Sequence, residues 1–404
     1  MSTIQQVQNG SIVTPNGFKA TGTHCGLKRK KLDIGMIYSE KPATAAAVYT
    51  LNAVQAAPLH ITKESIDQEH KLQAIIVNSA NANACTGPQG EADARLMREL
   101  TASHLSLPEH LVAVSSTGVI GELLPMDKVK KGINQLIATH KSEDVEAFNQ
   151  AILTTDTFTK STCYTAKING KSITLAGSCK GSGMIKPNMA TMLSFITTDL
   201  NIEATYLQQA LNETVNKTFN CVTVDGDTST NDTVIVMANG YANNESLTPN
   251  SKDWPIFIEL LQQVSEDLAK MIARDGEGAT KLIEVIVDNA HSSTDAIKIA
   301  KSVVGSSLVK TAMYGADANW GRILAAIGYS GVPVNPNIID VSIGDIQMLE
   351  AGSPVAFDET NATNYLEQDT IQIYIDVKLG NESGKAWGCD LTYDYVKINA
   401  SYRS

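Results

Sequence analysis

Apolar residues recur along this chain in two patterns, short and largely apolar runs and longer stretches with a repeat of three to four residues. The runs are typical of buried strands and cover 74–77, 111–114, 173–177, 192–196 and 283–287. The helical repeat predicts α-helices over 91–105, 126–139, 143–153, 203–217, 255–276 and 294–304, with another beginning at 319. Strands and helices are therefore both expected throughout the chain.

Two segments carry a more specific pattern. Residues 371–377 alternate apolar and polar side chains, and the Gly380-Asn381 turn before 386–391 predicts a β-hairpin. The small residues of 44–50 fit either a strand or a short helix, and the pattern does not decide between the two.

Length and charge narrow the class of protein. A chain of 404 residues exceeds what one hydrophobic core usually serves, so we expect two or three subdomains. The formal net charge of -11 argues against nucleic acid or an anionic membrane as a partner, because both require clustered positive charge. The one basic run, 28–31, is short, and we interpret it as a solvated turn or edge.

Cysteine and histidine spacing indicates neither a metal site nor a disulfide framework. The six cysteines form no CxxC pair, and the seven histidines form no HxH or HExxH motif, so we expect no metal and no cofactor. The first ten residues lack a charged lead with an apolar core, and no apolar run approaches the ~18 residues of a membrane span. We therefore expect a soluble, cytoplasmic protein.

A loop that leads into an apolar run lies at mid-chain, where residues 180–199 read KGSGMIKPNMATMLSFITTD. A hydroxyl at Thr191 that attacked the carbonyl of Ala190 would cut the chain and free the α-amino group of Thr191. Because an α-amine has a pKa of about 8, one cleavage would supply a nucleophile and its base together. Gly-rich loops before strands are common, so the chemistry alone leaves an ordinary loop as the alternative.

This stretch closely resembles the cleavage motif of the glutamate N-acetyltransferase family, the ornithine acetyltransferases of arginine biosynthesis. The family pattern is Lys-Gly-Ser-Gly-Met followed by Pro-Asn-Met-Ala-Thr-Met-Leu, and every one of these residues is present. The resemblance extends over essentially the whole chain. It implies autocatalytic cleavage between Ala190 and Thr191, with Thr191 as the nucleophile.

Two further loops match motifs of this family. Residues 78–87 read NSANANACTG, which by composition either approaches a ligand or caps the next helix. Ala80 replaces a family glycine there, so we expect its backbone to avoid positive φ.

Residues 115–121 read SSTGVIG, and spacing alone indicates an ordinary turn. The resemblance instead makes Thr117 and Gly118 the oxyanion hole.

The resemblance also implies which residues contact the substrates. The matching positions are Thr154, Lys180, Thr191, Glu277, Asn399 and Ser404. Ser404 departs from the commoner threonine but keeps the hydroxyl.

The turn 225–232, DGDTSTND, lacks the spacing of an EF-hand calcium loop, and we expect it to order backbone behind the site. The cleavage motif contains neither a complete Walker A pattern nor a complete GxGxxG pattern. We therefore do not expect a loop that binds the phosphates of a nucleotide.

The family implies a two-step acetyl exchange. Thr191 takes the acetyl group from N-acetyl-L-ornithine, and L-glutamate then takes it from the Thr191 ester. By charge, we expect Lys180 to meet a substrate carboxylate and Glu277 an ammonium. Whether acetyl-CoA also serves as a donor is left open. The family further implies a tetramer of two cleaved pairs.

The implied fold is α/β, a layered α/β/β/α catalytic sandwich with a smaller C-terminal α/β domain. We expect 1–190 to form the N-terminal part of the sandwich and 191–281 to complete it. Residues 282–404 would form the C-terminal domain, with a tail that returns to the active site. A strand that begins near Thr191 would pair with strands on both sides of the cut, so the two fragments should stay associated.

Functions from two other classes remain open. An aminopeptidase or amidase with the same self-cleaved nucleophile would pass the acyl group to water, and it would release product without glutamate. A nonenzymatic amino-acid-binding protein would share the pocket but show no burst of acetyl-enzyme.

Overall fold

The computed structural model describes residues 4–186 and 192–401. The chain divides into two compact units. The first contains 4–181, 192–216 and 228–268, and the second contains 182–186, 217–227 and 269–401. Each unit is built around one β-sheet.

The strands of the described residues are, in chain order, β1 Gln5–Gln6, β2 Phe18–Thr23, β3 Ile34–Tyr49, β4 Lys71–Asn78, β5 Val112–Ser116, β6 Lys160–Ile168, β7 Lys171–Lys180, β8 Leu193–Thr198, β9 Val222–Thr223, β10 Thr233–Ala238, β11 Leu282–Ala290, β12 Asp340–Ile343, β13 Ile346–Glu350, β14 Ser353–Pro354, β15 Thr370–Asp376 and β16 Glu382–Cys389. The α-helices of the same residues are α1 Ala57–Glu69, α2 Gly87–Leu105, α3 Met126–Ile133, α4 Ser142–Ala151, α5 Ala204–Lys217, α6 Trp254–Arg274, α7 Ser293–Val304, α8 Ser307–Tyr314, α9 Trp320–Gly328, α10 Glu359–Leu366 and α11 Tyr393–Ala400. The predicted α/β class is confirmed.

The sheet of the first unit has the strand order β1-β6-β7-β8-β10-β3-β4-β5, with β2 also paired to β3. Strand β8 lies between antiparallel β7 and parallel β10, and Leu193 is in register with both Lys180 and Thr233. Strand β10 is in turn antiparallel to β3. The strand that begins two residues after Thr191 is therefore an interior strand of this sheet.

Both faces of the sheet are buried where β4 crosses it. Ile75 and Val77 belong to one hydrophobic cluster with Phe148 of α4, whereas Ala74 and Ile76 belong to a second cluster with residues of α1 and α2. Successive side chains of a strand point to opposite faces, so a strand buried on both faces is apolar at every position. This burial explains the uninterrupted apolar run from which β4 is predicted.

The sheet of the second unit has the order β14-β13-β12-β15-β11-β16-β9. Strand β11 is parallel to β15 and antiparallel to β16, and α7 packs on β11 and β16. The fully buried Trp387 of β16 donates its indole N–H to Glu284 Oε1 at 2.9 Å. That bond satisfies the one polar atom of a large apolar side chain.

The predicted hairpin between 371–377 and 386–391 is wrong. Both segments contain strands, but β11 lies between β15 and β16 and pairs with each. Ile283, Val285 and Val287 of β11 are fully buried, which favours an interior position with a neighbour on each side. A turn motif indicates where the chain reverses direction. It does not indicate whether a strand from a distant part of the chain lies between the two strands that the turn connects.

Two other predictions differ from the structure or are decided by it. Residues 44–49 belong to β3, so the strand alternative is correct for this segment. The helix predicted over 126–139 ends at Ile133. Beyond it, Thr139 forms an isolated bridge with Ala20, with N–H···O distances of 2.9 and 3.1 Å. Pairing with β2 thus satisfies backbone groups that a longer helix would have used internally.

Candidate active site

The end of β5 presents the predicted oxyanion residues. Thr117 N–H donates to Asn78 O at 3.0 Å, and Val119 N–H donates to Ala80 O at 3.0 Å. Gly118 lies between them at a φ of 135°, and a Cβ there would stand 2.1 Å from the carbonyl carbon of Ala80. Only glycine therefore fits this position, because a side chain would meet both strain and a backbone clash.

Ala80 contradicts the expectation that its backbone avoids positive φ. Its φ is 78°, in the left-handed region. Its carbonyl accepts from Val119, and Ala82 N–H donates back to Val119 O at 2.9 Å. These bonds to Val119 hold the Ala80 backbone in a conformation that alanine alone would disfavour.

Lys180, the last residue of β7, contacts Thr117. Its Nζ lies 3.4 Å from Thr117 Oγ1, and both side chains are buried. A fixed ammonium next to a hydroxyl adds positive potential where negative charge develops in acyl transfer. The structure thus brings together two residues that lie far apart in the sequence and that the resemblance assigns to one site.

A buried carboxylate that the sequence analysis missed joins the elements around Lys180. Asp156 Oδ1 accepts from Lys160 Nζ and from Gly181 N–H, both at 2.7 Å, and Oδ2 accepts from Thr154 N–H at 2.9 Å. Burial by itself raises the pKa of Asp156, but the Lys180 and Lys160 ammonium groups and these hydrogen bonds hold it well below its usual range. The available signal was the Thr-Thr-Asp-Thr motif with a lysine four residues after its aspartate.

The basic run 28–31 is only partly the solvated turn that we expected. Residues 29–31 are exposed, but Lys28 is half-buried. Its Nζ donates to Leu32 O and to Leu153 O, both at 2.7 Å, and Leu153 directly precedes Thr154. Burial lowers the pKa of Lys28 to about 8, against the attraction of Asp33.

In the second unit, Glu277 and Asn399 form a direct pair. Asn399 Nδ2 donates to Glu277 Oε2 at 2.8 Å, and Glu277 N–H donates to Ser182 O at 3.0 Å. Glu277 is buried, as the glycines on both sides of it allow. A Cβ at Gly183 would stand 2.3 Å from the Glu277 carboxyl carbon, so the cleavage motif must be glycine where it passes this side chain.

The turn 225–232 orders backbone of the cleavage motif, as predicted. Asp225 accepts from Met184 N–H at 2.6 Å and from Ile185 N–H at 2.9 Å. Val224 N–H donates to Ile185 O at 2.7 Å. Burial raises the pKa of Asp225, although these backbone donors oppose the rise. One carboxylate therefore fixes the segment shortly before the predicted cleavage bond.

Three predicted site residues, Ala190, Thr191 and Ser404, lie outside the described residues. Of the others, Thr117, Gly118, Thr154 and Lys180 belong to the first unit, and Glu277 and Asn399 belong to the second.

Within 4–186 and 192–401, no group of three or more His, Cys, Asp or Glu side chains is placed to hold a metal ion. No helix in that part of the chain combines the length and apolar character needed to cross a bilayer.

Comparisons with known proteins identify the family of this chain. The model of the ArgJ family matches residues 19–404. The arginine biosynthesis bifunctional protein ArgJ of Geobacillus kaustophilus is 59% identical over 401 residues, which are 99% of this chain and 98% of that protein. The same-named protein of Halalkalibacterium halodurans is 59% identical over 402 residues, again 99% of this chain and 98% of that protein.

Among solved structures, the crystal structure of the argJ protein from Bacillus halodurans is similar at 56% identity with a TM-score of 0.46, over 47% of this chain and all of that chain. The family model and the full-length relatives together leave one conclusion: this chain belongs to the ArgJ family.

Proposed function

We propose that this protein transfers the acetyl group of N-acetyl-L-ornithine to L-glutamate through an acetyl ester on Thr191. The observation that carries the proposal is the 59% identity, over 99% of the chain, to proteins named arginine biosynthesis bifunctional protein ArgJ. The match spans 99% of this chain and therefore includes the segments in which most of the motifs lie.

The chemistry begins when the bond between Ala190 and Thr191 is cut. The Thr191 hydroxyl then attacks the acetyl carbonyl of acetylornithine, and its proton passes to the new α-amine. Collapse of the tetrahedral intermediate breaks the amide C–N bond, and ornithine leaves with that proton. In the second step the neutral amine of glutamate attacks the Thr191 ester and the ester C–O bond breaks. The proton that the glutamate amine loses passes through the α-amine to Thr191 Oγ, which regenerates the hydroxyl.

The described geometry supports an electrostatic role for the end of β5. Thr117 contributes a hydroxyl and Gly118 a backbone N–H, and Lys180 adds a positive charge next to the hydroxyl. Such preorganised groups stabilise an oxyanion more than a ground-state carbonyl.

Substrate recognition is assigned by charge. We assign Lys180 to a substrate carboxylate and Glu277 to a substrate ammonium group, with Thr154 and Ser404 as further substrate contacts. Asn399 orients Glu277, because its amide donates to one carboxylate oxygen and leaves the other for the substrate.

The test is purification followed by an exchange assay. Under denaturing conditions the protein should give two fragments, the second of which begins Thr-Met-Leu-Ser-Phe, and it should form N-acetylglutamate from acetylornithine and glutamate. Thr191→Ala should remain full length and inactive. Efficient cleavage of that variant would overturn the nucleophile assignment.

The same assay separates the alternatives. Ornithine released without glutamate would indicate an aminopeptidase or amidase, and binding without acetyl-enzyme would indicate a nonenzymatic binding protein. Acetylation of glutamate by acetyl-CoA, in a mixture without acetylornithine, would identify a second donor. The native mass of the cleaved protein would test the proposed tetramer of two fragment pairs.

A further inference from the structure

A buried side-chain amide bonds to the two loops that enclose Thr117 and Gly118. Asn231 is 6% exposed, and its Nδ2 donates to Ser116 O at 2.9 Å and to Ala82 O at 2.6 Å. A primary amide carries two N–H donors, so these two bonds use both of them. The two acceptors lie 115 and 149 positions away in the sequence, so the contacts are made by the fold and not by a local turn.

The chemistry of its neighbours determines how the Asn231 amide is oriented. Backbone carbonyl oxygens only accept hydrogen bonds, so the amide nitrogen must face Ser116 O and Ala82 O. The amide oxygen then accepts from Thr230 Oγ1 at 2.6 Å. With its donors and its acceptor engaged, the buried side chain is held in one orientation.

The backbone on both sides of Asn231 is also held. Ala56 N–H donates to Thr230 O at 3.0 Å. Thr50 N–H donates to Asp232 O, also at 3.0 Å. Asn231 therefore extends from a backbone that is bonded directly before and directly after it.

The first of the two amide bonds fixes the peptide unit that precedes Thr117. The carbonyl of this unit, Ser116 O, accepts from Asn231. Its N–H, on Thr117, donates to Asn78 O at 3.0 Å. Both polar groups of the unit are thus bonded, and a peptide unit is planar and rigid. The direction in which the backbone enters Thr117 follows from these two bonds.

The second amide bond acts on the other side of Gly118. Asn231 donates to Ala82 O, and Ala82 N–H donates to Val119 O at 2.9 Å. Asn231 is therefore connected directly to the residue before Thr117 and, through Ala82, to the residue after Gly118. One side chain limits the displacement of the pair from both sides.

We propose that Asn231 is a positioning residue for the oxyanion hole formed by Thr117 and Gly118. Its role is to hold these two donors in place, not to contact the substrate. An oxyanion hole stabilises developing charge because its donors are already in position, so a small displacement of them lowers the rate. The inference rests on the proposed function, because it requires that Thr117 and Gly118 meet an oxyanion.

The variant that tests this role is Asn231→Ala, which removes the amide and both of its bonds. The kcat of acetyl exchange should fall about 10- to 100-fold, because displaced donors stabilise the transition state less. The KM for acetylornithine should stay within about 2-fold of the wild-type value, because the oxyanion exists only in the transition state. Both constants are measured from initial rates of N-acetylglutamate formation by the purified, cleaved protein.

Asn244→Ala is the matched control. Asn244 is also buried in the first unit, and its Nδ2 donates to Asn201 O at 3.1 Å and to Glu245 O at 2.7 Å. Its Oδ1 accepts from Asn201 N–H at 2.8 Å. The variant thus removes the same number of amide bonds, but none of them involves the loops around Thr117. Its kcat and KM should both stay close to those of the wild type.

A double variant distinguishes positioning from a general loss of structure. The Thr117 hydroxyl is already absent in Thr117→Ala, so adding Asn231→Ala to that variant should lower kcat by less than about 5-fold. A general loss of structure would lower kcat by the same factor in both backgrounds. Asn231→Ser keeps a hydroxyl donor and should have a kcat between those of the wild type and Asn231→Ala. It replaces the alanine variant if that protein does not fold or is not cleaved.

Several results would overturn this role of Asn231 while exchange by the wild type still stood. They are equal kcat values for Asn231→Ala and Asn244→Ala, equal effects of Asn231→Ala in the two backgrounds, and a change confined to KM. Failure of both Asn231 variants to be cleaved would also overturn it, because Asn231 would then act before acetyl transfer. Absence of exchange in the wild type would instead contradict the proposed function.

Discussion

At the scale of single residues, Ala80 holds a left-handed backbone because its carbonyl and the N–H of Ala82 both hydrogen-bond to Val119. For alanine this conformation costs about 1–2 kcal/mol, whereas glycine loses about 0.5–1 kcal/mol in extra unfolded-state entropy. Ala80→Gly should therefore raise the free energy of unfolding by roughly 0.5 kcal/mol, measured by urea denaturation. Ala82→Gly, at a buried position without positive φ, should lower it by about 1 kcal/mol. If both glycine variants lost the same free energy of unfolding, the backbone of Ala80 would not be strained.

The oxyanion assignment makes a kinetic prediction for Thr117. Its hydroxyl meets charge that exists only in the transition state, so Thr117→Ala should lower kcat by about 10²-fold and leave KM for acetylornithine nearly unchanged. Thr117→Ser keeps the hydroxyl that lies near Lys180 and should retain most of the rate. A change confined to KM would make Thr117 a binding residue.

Gly183 offers a test of Glu277 that leaves the carboxylate in place. An added Cβ would stand 2.3 Å from the Glu277 carboxyl carbon, so Gly183→Ala should push this side chain away from its position. The Glu277 carboxylate would then lose its charge-assisted hydrogen bond to the substrate ammonium group. We expect the KM for the substrate to rise roughly 10- to 100-fold. Gly328→Ala, where nothing lies within 4 Å of the added atom, is the matched control in the same unit. Equal KM values for the two variants would remove Glu277 from substrate binding.

At the scale of elements, Asp156 connects the segment after α4, the start of β6 and the end of β7 through one carboxylate. Its side chain and that of Lys160 are fully buried, so Asp156→Asn removes the negative charge that balances the buried Lys160 ammonium and should destabilise the fold by about 3–5 kcal/mol. Adding Lys160→Met should recover part of the loss. Asp340→Asn, which breaks a half-exposed pair with Lys378, should cost less than about 1 kcal/mol in the same urea titration.

The pH dependence of that stability follows from the sign of the shift. The pKa of Asp156 is lower in the folded protein than the ~3.9 of an unfolded aspartate. Its stabilisation is therefore fully present above about pH 4 and is lost as the pH falls further. Stability that did not differ between wild type and Asp156→Asn at neutral pH would show that the pair contributes nothing.

Local patterns predicted most of these elements because local forces determine them. The run at 74–77 is apolar because β4 is buried on both faces, and Pro255 and Gly276 lie close to the ends of α6. Strand partners are long-range, so the insertion of β11 between β15 and β16 could not be predicted from a turn motif. Asp156 was missed for the same reason, since its role depends on burial and on partners from other elements.

At the scale of the whole molecule, the strand order predicts what happens after cleavage. Strands β8 and β10 follow Thr191 in the chain, yet they lie between β7 and β3, which precede it. Six residues of β8 pair with β7 and six residues of β10 pair with β3. Separating the fragments would break both ladders and expose two interior strands, so the cost is close to that of unfolding the unit.

The fragments 1–190 and 191–404 should therefore elute together on size exclusion in native buffer, at the volume of the uncleaved Thr191→Ala protein. They should separate only at urea concentrations that also abolish the folded circular dichroism signal, because sheet pairing rather than the cut peptide bond holds them. A cleaved protein whose fragments parted in native buffer would contradict the pairing of β8 with β7 and of β10 with β3. The uncleaved variant provides the reference, since its two halves cannot part at any urea concentration.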